Sequence, residues 1–208
     1  MTAFFSNLRS VVIAGFVMAL IVLGLYWWDT GVVLNSGFWQ FLARWLHVIS
    51  GVMWIGLLWY FNFVAAPTMP RIPEDLRPGL TKYITPAALF WFRWSAMSTI
   101  LLGIILATLN GYIARAYSLD IVDPAGAFAS PNILVIGIGM WLGTIMWANV
   151  WLVIWPNQQK ALNIENRYPQ LTKDARGAAG RRAALFSRAN MLLSIPMLFC
   201  MVGASHLP

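Results

Sequence analysis

Charged residues are scarce in this sequence, since Asp, Glu, Lys and Arg together make up 10% of its 208 residues. A soluble domain of ordinary composition carries about 25% of such residues. An ordinary soluble globular protein is therefore excluded. Cysteine is scarcer still, because Cys200 stands alone. A single cysteine excludes an internal disulfide, and no Cys-x-x-Cys-His motif is present to attach a c-type haem covalently.

The sequence instead contains long runs of apolar residues. A helix needs about 20 apolar residues to cross the hydrocarbon core of a bilayer, where its backbone must satisfy its own hydrogen bonds. Five stretches meet this requirement, and we predict helices at about 11–28, 38–66, 87–113, 132–155 and 184–204. The predicted fold class is an all-α integral membrane protein, a bundle of about five transmembrane helices forming a single membrane domain over residues 1–208. We expect the first helix to be retained, because Tyr26-Trp27-Trp28-Asp29 stands where a signal peptide would have a small-residue cleavage site.

The net charge of +7 follows the predicted topology. Of the 14 Lys and Arg residues, only Arg44 and Arg115 fall on one side of the five helices, and the other twelve fall on the opposite side. Most of those twelve lie in the two predicted cytoplasmic loops, 67–86 and 156–183. The positive-inside rule then predicts a cytoplasmic N-terminus and a C-terminus on the outside. We expect the partner of this charge to be the lipid bilayer, with its anionic headgroups, and no nucleic acid.

Polar residues near the predicted outer surface include both histidines of the chain. His47 lies about one turn inside the second helix, on the face shared by Arg44, Gly51 and Trp54. His206 closes the fifth helix on the same side of the membrane. Two imidazoles at one level could ligate the iron of a b-type haem, and we expect no other metal, because two histidines are too few for a zinc site. The alternative is that His47 hydrogen-bonds within the bundle and His206 is an interfacial tail residue.

A second polar layer is predicted near the cytoplasmic surface, formed by Asn62, Arg93, Asn149 and Asn190. An arginine with several amides suits a planar anion, so these residues are candidates for a substrate pocket. The alternative is structural, because amides of this kind also hydrogen-bond between membrane helices. The apolar segments contain no Asp, Glu or Lys, which disfavours a proton-coupled transporter.

Four blocks of the sequence carry a family resemblance. They are RWLHVISGVMWIGLLWYFNFV, TPAALFWFRWSAMSTILLGIILA, WANVWLVIWPNQQK and RANMLLSIPMLFCMVGASH. Together they resemble the membrane part of the bacterial membrane-bound urate oxidase family, over roughly residue 38 to the end. That family combines a multi-helix membrane domain with a C-terminal cytochrome c and is implicated in oxidising urate. The chain stops at Ser205-His206-Leu207-Pro208, where the family continues with further helices and a haem domain.

The resemblance implies a bacterial cytoplasmic (inner) membrane protein and an electron acceptor supplied by a separate cytochrome c. Within the matching blocks lie His47, Arg93, Asn149, Trp151 and His206. Three hypotheses follow. The first is a urate-oxidase-like membrane oxidoreductase in which His47 and His206 hold haem b. The second is a non-catalytic accessory or assembly subunit of a larger respiratory or photosynthetic membrane complex, and the third, ranked last, is a small-molecule channel or carrier.

Overall fold

The computed structural model describes residues 2–119 and 130–207, and within these residues every regular element is helical. Five helical segments are long and apolar enough to cross a bilayer. The predicted all-α membrane fold is confirmed at this level. The long segments and one short helix between the third and fourth of them are labelled in chain order: α1 Leu8–Thr30, α2 Ser36–Arg71, α3 Arg77–Leu109, α4 Ile113–Tyr117, α5 Pro131–Leu162 and α6 Lys173–His206.

Three of the long helices are interrupted by a turn of π-helix. These turns are Tyr60–Ala65 in α2, Leu80–Ile84 in α3 and Asn149–Ile154 in α5. Each is followed two residues later by a proline, namely Pro67, Pro86 or Pro156. Proline has no N–H to donate, and its ring clashes with the carbonyl four residues earlier, which in each case lies inside the π turn. The wider turn moves that carbonyl aside, so the helix continues through the proline.

Packing divides the chain into two compact units, Met1–Phe41 and Leu42–Pro208. In the first unit, α1 begins where the Asn7 side chain accepts hydrogen bonds from the backbone N–H groups of Arg9 and Ser10, at 3.0 and 3.4 Å. The helix ends at Gly31, whose φ of +78° is readily adopted only by glycine. No residue of α1 is buried, and its Trp27 ring contacts Phe38 at the start of α2.

The second unit has its own apolar core. Side chains from α2, α3, α5 and α6 meet there, and Trp54, Leu58, Met146 and Val150 are almost completely buried. A close approach of α5 and α6 depends on Gly139, because a Cβ at that position would lie 2.8 Å from the Cβ of Cys200. Small residues of this kind allow membrane helices to pack at short distance. The single cysteine is therefore part of the α5–α6 contact.

Several helices extend beyond the predicted membrane segments. The structure continues α5 to Leu162 and begins α6 at Lys173, so much of the expected loop 156–183 is helical. The predicted boundaries followed hydropathy, which falls where charge begins. Helix propensity does not fall there, because alanine and arginine are good helix formers. The Thr172 side chain also caps α6 by accepting a hydrogen bond from the N–H of Ala175.

The expected loop 67–86 is also largely helical, because α2 continues to Arg71 and α3 begins at Arg77, which leaves only 72–76 outside the helices. Pro67, Pro70 and Pro78 each stand second in a short piece of helix, namely Ala66–Thr68, Met69–Arg71 and Arg77–Gly79. The helical backbone here is therefore a succession of short α, 3-10 and π turns.

Candidate functional site: an apolar cavity at His47

A cavity of about 550 Å³ lies inside the second unit, between α2, α3, α5 and α6. This volume falls within the range of roughly 300–1,000 Å³ that is typical of small-molecule pockets. Its lining is almost wholly apolar, with Trp54 and Trp59 from α2, and Met140, Met197 and Met201 from α5 and α6. Such walls favour an apolar occupant.

Four glycines also line this cavity: Gly51, Gly56, Gly103 and Gly143. They come from three different helices, so the absence of a side chain widens the cavity on several sides. At Gly56 a Cβ would meet no atom within 4 Å. At Gly103 it would lie only 3.0 Å from Cε1 of His47. Gly103 is thus the position that makes room for the imidazole ring.

His47 is the one ionisable imidazole in the cavity wall, and its orientation is fixed. The Nδ1 atom lies 2.8 Å from the backbone carbonyl oxygen of Thr99 on α3. A carbonyl can only accept a hydrogen bond, so Nδ1 must carry the proton and donate it. The other ring nitrogen, Nε2, is then unprotonated in the neutral ring. The arrangement prepares Nε2 to accept a hydrogen bond or to bind a metal.

The wall opposite α2 is held in place by the short helix α4. The hydroxyl of Tyr117, which lines the cavity, lies 3.1 Å from the Thr144 hydroxyl on α5. The backbone carbonyl of Tyr117 accepts a hydrogen bond from the indole N–H of Trp141 at 3.0 Å. Close contact of α4 with α5 depends on Gly137, since a Cβ there would lie 2.2 Å from the Ala116 carbonyl oxygen.

The two histidines differ in their surroundings. His206 is exposed in the last turn of α6, and its Nδ1 donates to the Val202 carbonyl of its own helix at 2.9 Å. It is not among the residues that line the His47 cavity. The cavity therefore contains one of the two predicted haem ligands, His47, and not the other, His206.

The predicted inner polar layer is hydrogen-bonded between helices. The Asn149 amide donates to Oδ1 of Asn190 at 2.8 Å, and the Asn190 amide donates to the Met146 carbonyl at 2.9 Å. Asn190 is fully buried. On α2, the Asn62 amide donates to the Ser187 hydroxyl at 3.0 Å. These hydrogen bonds join α2 and α5 to α6. This is the arrangement expected if the three amides hold membrane helices together.

Arg93 occupies the remaining position of that layer. Its guanidinium stacks on the indole of Trp155, 3.7 Å from the ring centroid, and also faces the Phe90 ring. Stacking on aromatic faces is a favourable environment for arginine. One guanidinium nitrogen, Nη1, is buried without a hydrogen-bond partner among the described residues.

Arg44, His47, Gly51 and Trp54 were predicted to share one face of the second helix; the last three line the cavity, and Arg44 does not. Thr99 and Gly103 were not predicted. Thr99 acts through its backbone carbonyl, which every residue type possesses, so no sequence signal points to it. Gly103 could have been noticed as a glycine within an apolar helix, where such a residue usually has a packing reason.

No cluster of three or more His, Cys, Asp or Glu side chains suited to a metal ion exists within residues 2–119 and 130–207. A metal at His47 would accordingly need further ligands from a bound group such as a porphyrin.

The comparison with known families matches residues 126–208 to the family described as "Urate oxidase N-terminal". No curated protein and no solved structure gives a match. The matched part covers fewer than half of the residues and contains α5 and α6, with the cavity residues Met140, Gly143 and Met197. The blocks on α2 and α3, which include His47, lie outside it. From residue 126 onward, this chain is similar to the urate oxidase N-terminal family.

Proposed function

We propose that this protein is a urate-oxidase-like membrane redox protein, which holds a haem b in the apolar cavity through His47 and passes electrons to a separate acceptor such as a cytochrome c. The observation that carries the proposal is the hydrogen bond from Nδ1 of His47 to the Thr99 carbonyl, in a side chain that lines a cavity of about 550 Å³. The similarity of α5 and α6 to the urate oxidase N-terminal family supports the choice of redox chemistry.

The residues of the cavity fit a haem in three respects. An imidazole whose Nδ1–H is donated to a backbone carbonyl is the usual state of a histidine that binds metal through Nε2. The Thr99 carbonyl also fixes the plane of the His47 ring. The glycines of α2, α3 and α5 leave room for a flat ring, and the surrounding side chains are apolar.

A haem bound here would supply reversible one-electron transfer, because iron changes oxidation state without leaving its ligands. The residues of the chain would orient the haem and surround it with apolar side chains. His47 would provide the ligand nitrogen, while Trp54 and Trp59 add apolar surface on the α2 side of the cavity. An apolar surrounding is one of the means by which a protein sets the reduction potential of a haem.

The geometry gives His206 no comparable role, because its ring is exposed and lies outside the cavity lining. We therefore propose His47 as the histidine ligand. Met140, Met197 and Met201 are the other side chains of the cavity with a potential ligand atom, and they would be candidates to hold the group together with His47.

An accessory subunit of a larger membrane complex is the second candidate function. The observation that favours it is α1, an apolar helix with no buried residue that belongs to a separate compact unit. A helix of this kind is available to pack against helices of another protein within the bilayer.

Absorption spectroscopy of the detergent-purified protein, oxidised and then reduced with dithionite, tests the proposal. The protein is produced with haem supplied, and the variants His47→Ala and His206→Ala are measured beside it. We expect a sharp reduced b-type band in the unaltered protein and in His206→Ala, and its loss in His47→Ala. A featureless spectrum in the unaltered protein would reject the haem proposal and favour the accessory subunit.

Urate is the electron donor that the family similarity suggests. Under anaerobic conditions, the reduced band should appear when urate replaces dithionite. If dithionite reduces the protein and urate does not, the haem proposal stands and the electron donor must be a different compound.

A further inference from the structure

A second cavity lies away from His47, where α5 ends and α6 begins. Its volume is about 500 Å³. It is lined by Asn157, Lys160, Tyr168, Gln170, Leu171, Ala175, Ala178, Ala179 and Arg182. The lining thus comes from three consecutive segments, which are the end of α5, the connection after it and the first turns of α6.

The side chains of this cavity favour an anion. Lys160 and Arg182 are cationic, and Asn157 and Gln170 carry amide donors. No lining residue is acidic. The three alanines of α6 leave space between the charged groups. Charge-assisted hydrogen bonds from Arg and Lys are strongest with phosphate and carboxylate oxygens.

The wall formed by the connection is fixed by hydrogen bonds. Arg176 donates from Nη2 to the backbone carbonyl of Tyr168 at 3.1 Å, which holds the connection against α6. The Tyr168 backbone N–H donates to Oδ1 of Asn163 at 2.8 Å, which holds it against the end of α5. The cavity is therefore part of the folded structure.

The position of the cavity indicates the source of the anion. Lys160 lies in the last turn of α5, and the sequence of α6 becomes mainly apolar from Ala183 onward. The cavity thus lies at the level where the membrane-spanning parts of both helices end. Phosphate groups of phospholipids occupy this level of a bilayer, and basic residues beside a membrane helix attract anionic lipids.

We propose that this cavity binds the phosphate-bearing headgroup of an anionic phospholipid. Arg182 contacts the phosphate through its guanidinium, Lys160 adds a second positive charge, and the amides of Asn157 and Gln170 donate to the remaining headgroup oxygens. The proposal is independent of the function proposed for the His47 cavity, since the two sites share no residue.

The test measures thermal stabilisation of the purified full chain in detergent, titrated with dioctanoyl phosphatidylglycerol. Dioctanoyl phosphatidylcholine and inorganic phosphate are titrated in parallel. We expect a saturable rise in Tm with phosphatidylglycerol and much weaker effects of the other two. Removing one charged contact should weaken the apparent affinity about tenfold or more, so Arg182→Ala and Lys160→Ala should both shift the titration.

Arg181→Ala is the matched control, because Arg181 precedes Arg182 on the same helix and does not line the cavity. Its titration should equal that of the unaltered protein. An equal loss of affinity in Arg181→Ala would overturn the site in favour of general surface charge. An equal response to phosphatidylcholine would overturn headgroup recognition, and a full response to inorganic phosphate would assign the site to a free anion.

Discussion

Replacing Gly103 by alanine should displace His47 and disturb the cavity, although the change adds a single methyl group. The new Cβ would lie 3.0 Å from Cε1 and 3.2 Å from Nδ1 of His47. Carbon atoms in favourable contact are about 3.5–4.0 Å apart, so the ring must move by roughly 0.5 Å. Such a movement stretches the present 2.8 Å contact between Nδ1 and the Thr99 carbonyl oxygen to the limit of a hydrogen bond.

The expected magnitude follows from two costs and one gain. Overpacking costs about 1–3 kcal/mol, and a lost hydrogen bond costs about 0.5–1.5 kcal/mol. The gain is the higher helix propensity of alanine over glycine, about 1 kcal/mol. Gly56→Ala provides the same gain in the same cavity without a clash, since a Cβ there meets no atom within 4 Å. The difference in unfolding free energy between the two variants should therefore be about 2–4 kcal/mol, with Gly103→Ala the less stable.

The assay is equilibrium unfolding in detergent, followed by far-ultraviolet circular dichroism, with the absorption spectrum of each variant recorded before unfolding. If His47 holds a haem, Gly103→Ala should also reduce the haem content, and Gly56→Ala should change it less. Equal stability and equal spectra for the two variants would refute the argument, because they would mean that His47 can move away from α3 without loss.

Three further predictions concern packing, hydrogen bonding and pH. Asn190→Ala leaves the partly buried amide of Asn149 without its partner and should lower the unfolding free energy by about 1–3 kcal/mol; an unchanged value would mean that the interhelical bonds are dispensable. Gly137→Ala should unseat α4, measurable as faster proteolysis, since its Cβ would overlap the Ala116 carbonyl; unchanged cleavage would contradict that contact. Burial raises the pKa of the Tyr112 phenol, so its stabilising contribution is present below about pH 10 and is lost as the pH rises further. Tyr112→Phe should flatten the stability profile above that pH, and an identical fall in both proteins would show that another group is responsible.

The number and positions of the membrane helices could be predicted from hydropathy, because a bilayer demands long apolar segments whatever their detailed packing. The ends of the helices could not. In α6, Lys173–Arg182 is polar yet helical, because alanine-rich sequence and the Thr172 cap favour a helix outside the apolar segment as well. The π turns were also beyond prediction, since each depends on how a helix accommodates a later proline.

The candidate site could be predicted only where a side chain carries the chemistry. His47 stood out as an imidazole in an apolar helix, and the face it shares with Trp54 was correct. Its partner on α3 is a backbone carbonyl, which leaves no mark in the sequence. The expected role of His206 rested on depth alone, and depth does not determine which way a ring in the last turn of a helix will face.

The π turn of α5 provides a test of how the helix accommodates Pro156. A π turn can be viewed as an α-helix with one inserted residue. Removing the exposed Leu152 from the turn Asn149–Ile154 should therefore restore α-helical geometry and leave the helix in register on either side. The restored geometry would bring the proline ring against the carbonyl four residues before it, at a cost of about 3 kcal/mol.

We expect the effect of Pro156→Ala on the unfolding free energy to depend strongly on whether Leu152 is present. In the intact chain, Pro156→Ala should change the unfolding free energy little, because the π turn already separates the ring from that carbonyl. In the chain without Leu152, the same substitution should restore about 3 kcal/mol. The four proteins form a double-mutant cycle, measured by equilibrium unfolding in one detergent. Equal effects of Pro156→Ala in both backgrounds would mean that the π turn has a different cause, such as the hydrogen bond between Asn149 and Asn190 at its first residue.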